Sequence, residues 1–551
     1  MSAGAPVRAP RERAGFRAPT LDGIVVCAAF AAALAMFALT ERRIAGPVAL
    51  SSFPLDDSWI HLHFARNLAE GYGFAYNPGV PVAGSTAPLW TIVLAGAFVL
   101  FGSEPVWAKA IGVAATVATA LMTRRLAWEW TQSRGLALLA GVLTALAGPL
   151  VWGALSGMEV SLAALLVAAA LVRHAAADDW GTAVLLGLGT LARPEAVLLA
   201  PLVWLAGPLT VKRTAILSGV VGACLAPWVL FNLATAGTPL PATAAAKIKG
   251  GLIGVLLSGR REPITTALFL RPLEFQVEWF RWLASMNVLL PALTVAGIWA
   301  LWRRLGWRAA LPAAILVLHP LGMALLAPFQ APSFQEGRYS IHLVPIAMAA
   351  CAAGLGLIAR GRPLRVGIAM VLLVASLVAL GPAARRHAWA VQNIESMQVR
   401  LGHWVVAHTP PDARLALNDV GAIAYVSRRE VVDLIGLVTP AIIPYRREGE
   451  TGVLRYLEQV CPDYLIIFPT WFPALAEMRD LFTPIHRIRL EHNTVAGGDE
   501  MVVYETPWNR WHGQQPCGDP ARPSSPRGRS LRVQDAPSPS VVDVGGRPVR
   551  P

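Results

Sequence analysis

The sequence predicts a polytopic α-helical membrane protein with about eleven transmembrane helices and a C-terminal extracytoplasmic α/β domain. Three observations lead there. Of 551 residues, 55% are hydrophobic and only 15% charged, and the mean hydropathy is +0.51, well into the apolar range for a chain of this length. Arginines recur in short clusters between apolar stretches, the ordinary signature of membrane topology. Beyond Gly381 the charge density becomes that of a soluble domain.

Arg8, Arg11, Arg13 and Arg17 precede the apolar stretch Leu21 to Leu39. That stretch is near the ~20 residues a bilayer needs, and no clear small-residue cleavage site precedes Glu41, so residues 1–20 read as a cytoplasmic tail before an uncleaved span. Apolar segments follow at 88–101, 106–122, 136–155, 158–172, 180–192, 195–209, 214–235, 285–302, 308–328, 340–359 and 365–383. The first of these is short for a span. If it lies along the outer surface or dips in and returns, Arg124 with Arg125 and Arg134, Arg173, Lys212 with Arg213, Arg303 with Arg304 and Arg308, and Arg360 with Arg362 and Arg365 all fall inside. If it crosses, every one of those clusters turns outward. The membrane domain is therefore read as 21–384, with the N-terminus inside. The regions left outside are the first loop (41–105), the Ser156-Gly157-Met158-Glu159 turn, the 236–284 and 329–339 loops, and everything after about 384.

Residues 385–510 alternate the strand-like runs "RLALN", "EVVDLIGL", "DYLIIFP", "HRIRLEH" and "EMVVYE" with helix-like segments, which predicts a small α/β domain with some parallel sheet. Residues 511–551, rich in Pro, Ser, Gly and Arg without periodicity, read as disordered.

Several function classes are disfavoured. The formal charge of +13 arises from topology clusters without an aromatic-basic stripe, so no nucleic-acid partner is expected. The five cysteines are scattered without a CxxC or His-Cys cluster, and a Cys461–Cys517 disulfide has nothing further in its favour. No internal repeat supports an inverted-repeat transporter.

The polar residues that remain gather on the outer side. "PLDDSWIHLHFARNLAEGYGFAYNPG" opens with Asp56 and Asp57, and Asp56 to Ala69 reads as a short helix with Asp56 at or near its N-cap. Adjacent helical residues point about 100° apart, so one carboxylate caps or orients while the other works. Asp57 and His61, at i and i+4, share a face and can pair with each other or around a metal. Glu159 opens one span, Arg193 and Glu195 flank a proline break, and Arg338 with Tyr339 opens another. Each has a plain account as helix-end charge, snorkelling cation or interfacial anchor. Together, carboxylates beside several cations suit a phosphate carried on a lipid. The loop "NLATAGTPLPATAAAKIKG" adds Lys247 and Lys249, two of only four lysines, placed to reach a headgroup; anchoring to membrane lipids is the alternative.

These residues resemble a known family. "LDDSWIHLHFARNLAEGYGFAYNPGVPVAGSTAPLW" is similar to the first-loop signature of the GT-C superfamily, in the subgroup of terminal arabinofuranosyltransferases. Its matches are Asp56, Asp57, Arg66, Asn67, Leu68, Gly71, Gly73, Asn77, Pro78, Gly79, Gly84, Thr86, Pro88, Leu89 and Trp90. "SGME", "ARPEA", "GTPLPATAAAKI", "GRYSIHLVP" and "NDVGAIAYVSRREVVDLIGL" follow in order, so the resemblance spans about residues 20–505. Ser58, His61, His63 and Ala242 depart from its usual pattern.

The resemblance implies a glycosyltransferase of the plasma membrane, with its active site and C-terminal domain extracytoplasmic. The donor would be a polyprenyl-phosphate sugar, and the acceptor a cell-envelope glycan, a lipid or a protein. By position, Asp56 is the implied catalytic base, with Asp57 second. Lys247, Arg193 and Arg338 are the candidate phosphate clamp, and His61, Glu159 and Glu195 would orient the base or hold sugar hydroxyls. A single carboxylate base predicts inversion at the anomeric carbon. No ligand spacing demands a cofactor, although a divalent metal would be accommodated between carboxylate and phosphate. The competing classes are a transporter or flippase of lipid-linked sugars, a glycan-binding scaffold, and a protein O-mannosyltransferase-like or lipid A-modifying enzyme.

Overall fold

A computed structural model of the chain describes residues 20–48, 51–248, 250–258 and 262–512. Nearly all of the expected tails at 1–20 and 511–551, together with Lys249 and Cys517, lie outside the described residues.

The chain is a multi-pass helical membrane protein with a C-terminal sheet domain. Among the described residues, five helices are long and apolar enough to cross a membrane: Leu21–Ile44, Val106–Thr131, Val211–Ala236, Ile341–Ile358 and Arg362–His408. The number rises to 8 when three bent helix pairs each count as one span. Within Arg134–Leu155 the bend is 51°, and within Trp307–Leu326 it is 45°. Thr266–Met286 turns by 108° into Leu290–Leu305, so a helix occupies part of the region expected to be an outer loop. Pro88–Phe101 is a helix of 14 residues, well short of the ~20 a span requires, as its length in the sequence implied.

Two layers of buried charge mark the ends of the first helix. At one end Asp22 accepts from Arg124 at 2.8 Å and from Arg134 at 2.9 Å. At the other, Glu41 lies 3.0 Å from His387 and 3.8 Å from Lys109. At 1.5 Å per residue the two acids are about 28 Å apart along the axis, close to a hydrocarbon thickness of about 30 Å. The arginine-bearing ends pack with Asp22: Arg304 donates to the Thr131 carbonyl at 2.6 Å, and Arg213 meets Asp179 at 3.1 Å. The acidic first loop lies with Glu41 at the far end.

The C-terminal domain holds one sheet in the order β2-β1-β3-β5-β4. Its strands are β1 (Arg414–Leu417), β2 (Glu430–Asp433), β3 (Tyr464–Ile467), β4 (Thr483–Arg489) and β5 (Glu500–Glu505). β1 runs parallel to both β2 and β3, while β5 is antiparallel to β3 and β4. Each strand forms where an alternating or apolar run predicts it. β3 is buried along its whole length, as expected of a central strand covered on both faces.

The domain is fastened to the first loop. Tyr76 donates its hydroxyl to the Val420 carbonyl. Asn77 exchanges two hydrogen bonds with the backbone of Val431, at 2.8 and 2.9 Å, acting as an added residue on the edge of β2. Arg66 donates to the Tyr425 carbonyl at 2.7 Å and lies 4.4 Å from the centre of its ring. The resemblance motif is thus largely a docking surface.

Candidate active site

The first-loop helix Asp56–Ala69 is held by its hydroxyl and aromatic neighbours. Ser58 donates to the Ser156 carbonyl at 2.6 Å, and Trp90 donates to the Gly157 carbonyl at 3.0 Å, which brings the Ser156–Glu159 turn under the helix. The lysine loop is tied to the same place by a bond from the Ala242 amide to the Ala83 carbonyl at 3.1 Å. Lys247 ends the short helix Ala242–Lys247 that follows Pro241. Arg338 is presented by a left-handed turn in which Gly337 has φ +77°, and a Cβ there would meet the Trp282 ring at 2.1 Å. A side chain at that position would both strain the backbone and clash, so glycine is required.

These segments converge on one cavity of about 300 Å³, lined by Asp57, His61, Glu159, Arg193, Glu195, Lys247 and Arg338. Seven of the eight residues singled out from sequence therefore meet in one place. Asp57 lies 2.8 Å from Arg338 and 3.8 Å from Lys247. Arg338 donates to the Tyr339 hydroxyl at 2.9 Å. Both Arg338 and Arg193 lie over the Tyr339 ring, at 5.0 and 4.7 Å. Arg193 in turn pairs with Glu159 and, at 3.3 Å, with Glu195. The cavity's remaining wall is apolar, formed in part by Val197, Leu198, Leu240, Ile253, Met323 and Leu326. It therefore joins a cationic polar end to a hydrocarbon-compatible flank.

Two expectations from local spacing come out differently. His61 pairs with Glu159 at 3.3 Å, not with Asp57, because the turn beneath the helix offers a buried carboxylate closer to the ring. Asp56 lies at the start of its helix but does not cap it. Its two carboxylate oxygens accept from the Gly421 and Ala422 amides at 2.7 and 2.8 Å, capping the helix Ala422–Ser427 of the C-terminal domain. Asp56 does not line this cavity, whereas Asp57 does.

The carboxylates are tuned in opposite directions. Burial pushes Asp57 up, but the facing charges of Lys247 and Arg338 and the Arg338 hydrogen bond outweigh it, leaving the group well below the usual carboxylate range. Burial likewise opposes ionisation of Glu159, yet Arg193 and His61 bring it down to about 2. For Asp56 burial wins, reinforced by Asp419, and its pKa is raised despite the two amide donors.

A second cavity, of about 1090 Å³, lies between the membrane domain and the sheet domain and shares Asp57, Lys247 and Arg338 with the first. Asp56 and Asp419 both line it. Burial, followed by the charges of Asp57 and Asp433, outweighs a hydrogen bond from Gln398 and raises Asp419 to about 6. Asn418 and Asp419 open one of the resemblance motifs but were given no role from sequence, and Trp471 was passed over. The available signal was their place in the loops that follow parallel strands, where open α/β sheets bind ligands. Among the described residues, no three His, Cys, Asp or Glu side chains are arranged to hold a metal ion.

With this geometry in view, comparison with solved structures decides the architecture. ArnT from Cupriavidus metallidurans superposes with a TM-score of 0.56 at 12% identity, covering 88% of this chain and 98% of that one. The chain has the GT-C fold. A second structure of ArnT, bound to undecaprenyl phosphate, gives a TM-score of 0.57 at 13% identity over 87% and 97% of the two chains. The Archaeoglobus fulgidus oligosaccharyltransferase, in complex with Zn and sulfate, gives 0.51 at 13% identity over 87% and 76%. At these identities the likeness is one of GT-C architecture. Residues 392–506, which carry the sheet, match a family described as a domain of unknown function, DUF8728. No curated protein matches the chain.

Proposed function

We propose that the protein is a membrane glycosyltransferase that moves a sugar from a polyprenyl-phosphate donor to an extracytoplasmic acceptor. The observation carrying this reading is the pairing of Asp57 with Arg338 and Lys247 at the polar end of a cavity whose other wall is apolar. Such a cavity suits a phosphate headgroup on a hydrocarbon tail, and the GT-C relative bound to undecaprenyl phosphate supports the same donor class. Arg193, behind Tyr339, reinforces the positive end.

Of the acidic pair, we assign proton removal to Asp57, which faces the cavity, and positioning to Asp56, whose oxygens are engaged by amides. The acceptor oxygen attacks the anomeric carbon, the bond from that carbon to the phosphate oxygen breaks, and polyprenyl phosphate leaves with the electron pair. The acceptor's proton passes to Asp57. Lys247 and Arg338 stabilise the charge growing on the leaving phosphate. Because those cations hold Asp57 ionised in the empty site, a phosphate that draws them off makes Asp57 a stronger base as the donor binds. His61, Glu159 and Glu195 keep Arg193 in place and supply acceptors for sugar hydroxyls. Attack opposite the leaving group inverts the anomeric centre.

The arginine-bearing helix ends lie away from the site, which supports an extracytoplasmic active site in the plasma membrane. The test is to reconstitute the chain in lipid nanodiscs with polyprenyl-phosphate sugars and a cell-envelope glycan extract, then measure polyprenyl phosphate release. Release that depends on Asp57 and Arg338 is expected. A wild-type protein that neither binds polyprenyl phosphate nor releases it from any donor would overturn the assignment.

A further inference from the structure

We infer that the cleft between the two domains is a carbohydrate-binding site that admits the acceptor as a hydroxyl-rich glycan, held by Asn418, Asp419, Gln398 and Trp471. This rests on the sugar-transfer reading above and goes beyond it by naming the acceptor's chemical class and the residues that recognise it.

The site is built by the sheet's topology. Asn418 and Asp419 follow β1, Ile435 and Leu437 follow β2, and Trp471 follows β3, so the three parallel strands all deliver their C-terminal loops to one cleft. That edge of a parallel sheet is where such folds gather ligand contacts, because the loops beyond the strand ends are free to vary.

The polar atoms there are incompletely satisfied. Gln398 is fully buried and donates its amide nitrogen to Asp419 at 2.8 Å, which fixes the amide's orientation and leaves its oxygen buried without a partner. Asn418 is 4% exposed. It accepts from the Phe468 amide at 3.0 Å, which leaves its NH₂ group buried and without a partner among the described residues. A buried acceptor and a buried donor, both left open, each cost free energy unless a ligand or water completes them. Side by side with a carboxylate they match the alternating donor and acceptor character of sugar hydroxyls, whereas a lipid tail would leave all three unmet.

Trp471 supplies the complementary apolar face. The residue is 46% exposed and lines the same cleft, and its indole NH donates to the Gly497 carbonyl at 2.7 Å, which holds the ring in a set orientation. An exposed, fixed aromatic ring beside hydrogen-bonding side chains can stack on the C–H face of a pyranose or furanose. The cleft also reaches Asp57. A glycan seated on Trp471 and Asp419 thus lies in the cleft that also reaches the proposed base.

The test measures two ligands on the full chain in nanodiscs: undecaprenyl phosphate, and short linear arabino- and manno-oligosaccharides. Trp471→Ala and Asp419→Asn are expected to weaken oligosaccharide binding about tenfold each, the loss of one stacking contact or one charged hydrogen bond. Undecaprenyl phosphate binding should stay at the wild-type level for both variants, and the unfolding temperature should stay there for Trp471→Ala. Oligosaccharides that bind wild type and variants alike, or fail to bind while undecaprenyl phosphate does, would overturn the cleft assignment and leave the transferase reading standing. Oligosaccharide binding without any undecaprenyl phosphate binding would instead retain the cleft and remove the donor assignment.

Discussion

Asp57 Oδ2 lies 2.8 Å from Arg338 Nη1, joining the loop after the first helix to a turn in the second half of the chain. The same arginine is the group that a donor phosphate would seek. Asp57 and the phosphate therefore compete for one cation, and replacing the carboxylate separates binding from turnover. Asp57→Asn should lower transfer by roughly 10²- to 10⁴-fold, the usual worth of a general base. It should also tighten undecaprenyl phosphate binding, because Arg338 and Lys247 are then released to the ligand. A variant with both normal turnover and unchanged binding would remove Asp57 from the mechanism.

Asp56 should respond differently. Its oxygens are committed to the Gly421 and Ala422 amides, and a Cβ at Gly421 would sit 2.0 Å from the Asp56 carbonyl oxygen. That oxygen belongs to backbone, which cannot rotate aside. Gly421→Ala should therefore loosen the sheet domain from the first loop, at a cost of roughly 1–3 kcal/mol or more. Limited proteolysis between the domains and a lowered unfolding temperature would register it, and an unaltered protease pattern would contradict it.

The pH dependence of stability combines lowered carboxylates, Asp57 and Glu159, with raised ones, Asp56 and Asp419, which act with opposite signs. Asp57 is depressed, so its stabilisation is present above the unfolded value near 4 and is lost as pH falls through its lower folded value. Asp419 is raised to about 6, so the folded state favours its protonated form, and stability declines as pH rises from about 4 to 6 before levelling off. The groups whose charge or hydrogen bonds act on Asp419 are Gln398, Asp56, Asp57 and Asp433. Asp419→Asn should reduce the fall in unfolding temperature between pH 4 and 6 while leaving the Asp56 contribution and the more acidic decline in place. A slope unchanged by the substitution would remove Asp419 from the titration.

At the membrane boundary, Glu41 is 1% exposed and faces both Lys109 and His387. Glu41→Gln leaves the buried ammonium of Lys109 without that carboxylate, and breaking one side of a buried pair costs roughly 3–5 kcal/mol. The double substitution Glu41→Gln with Lys109→Met should recover most of the lost thermal stability. A double variant no better than the single one would show that the ion pair is not the source of the cost.

Much of this was legible in the sequence because polar residues stand out in an apolar chain. Asp57, Lys247, Arg193 and Arg338 come from four separate segments, yet each is anomalous where it occurs, and one cavity collects them. The five strands were equally visible, since alternation and apolar runs survive in a domain of ordinary composition. What local patterning could not carry was direction. Helical spacing paired Asp57 with His61, but the imidazole turns to Glu159, a residue contributed by another turn. Which member of the acidic pair reaches the cation-lined cavity depends on Gly421 and Ala422, far downstream in the sheet domain, which engage Asp56. The bent pair at Thr266–Leu305 was missed for a related reason: hydropathy marks an apolar stretch but not the angle at which it leaves the membrane.

Because Asp56 is seated on amides near the end of the chain, the order of synthesis bears on when the site can exist. A ribosome that has released every membrane helix but not yet residues 421–422 has produced the cavity's cations without the clamp that sets the acidic pair. On the transferase reading, sugar transfer would be withheld until the sheet domain has folded. Nascent or truncated chains would sit harmlessly in the bilayer, unable to consume donor before an acceptor platform is in place.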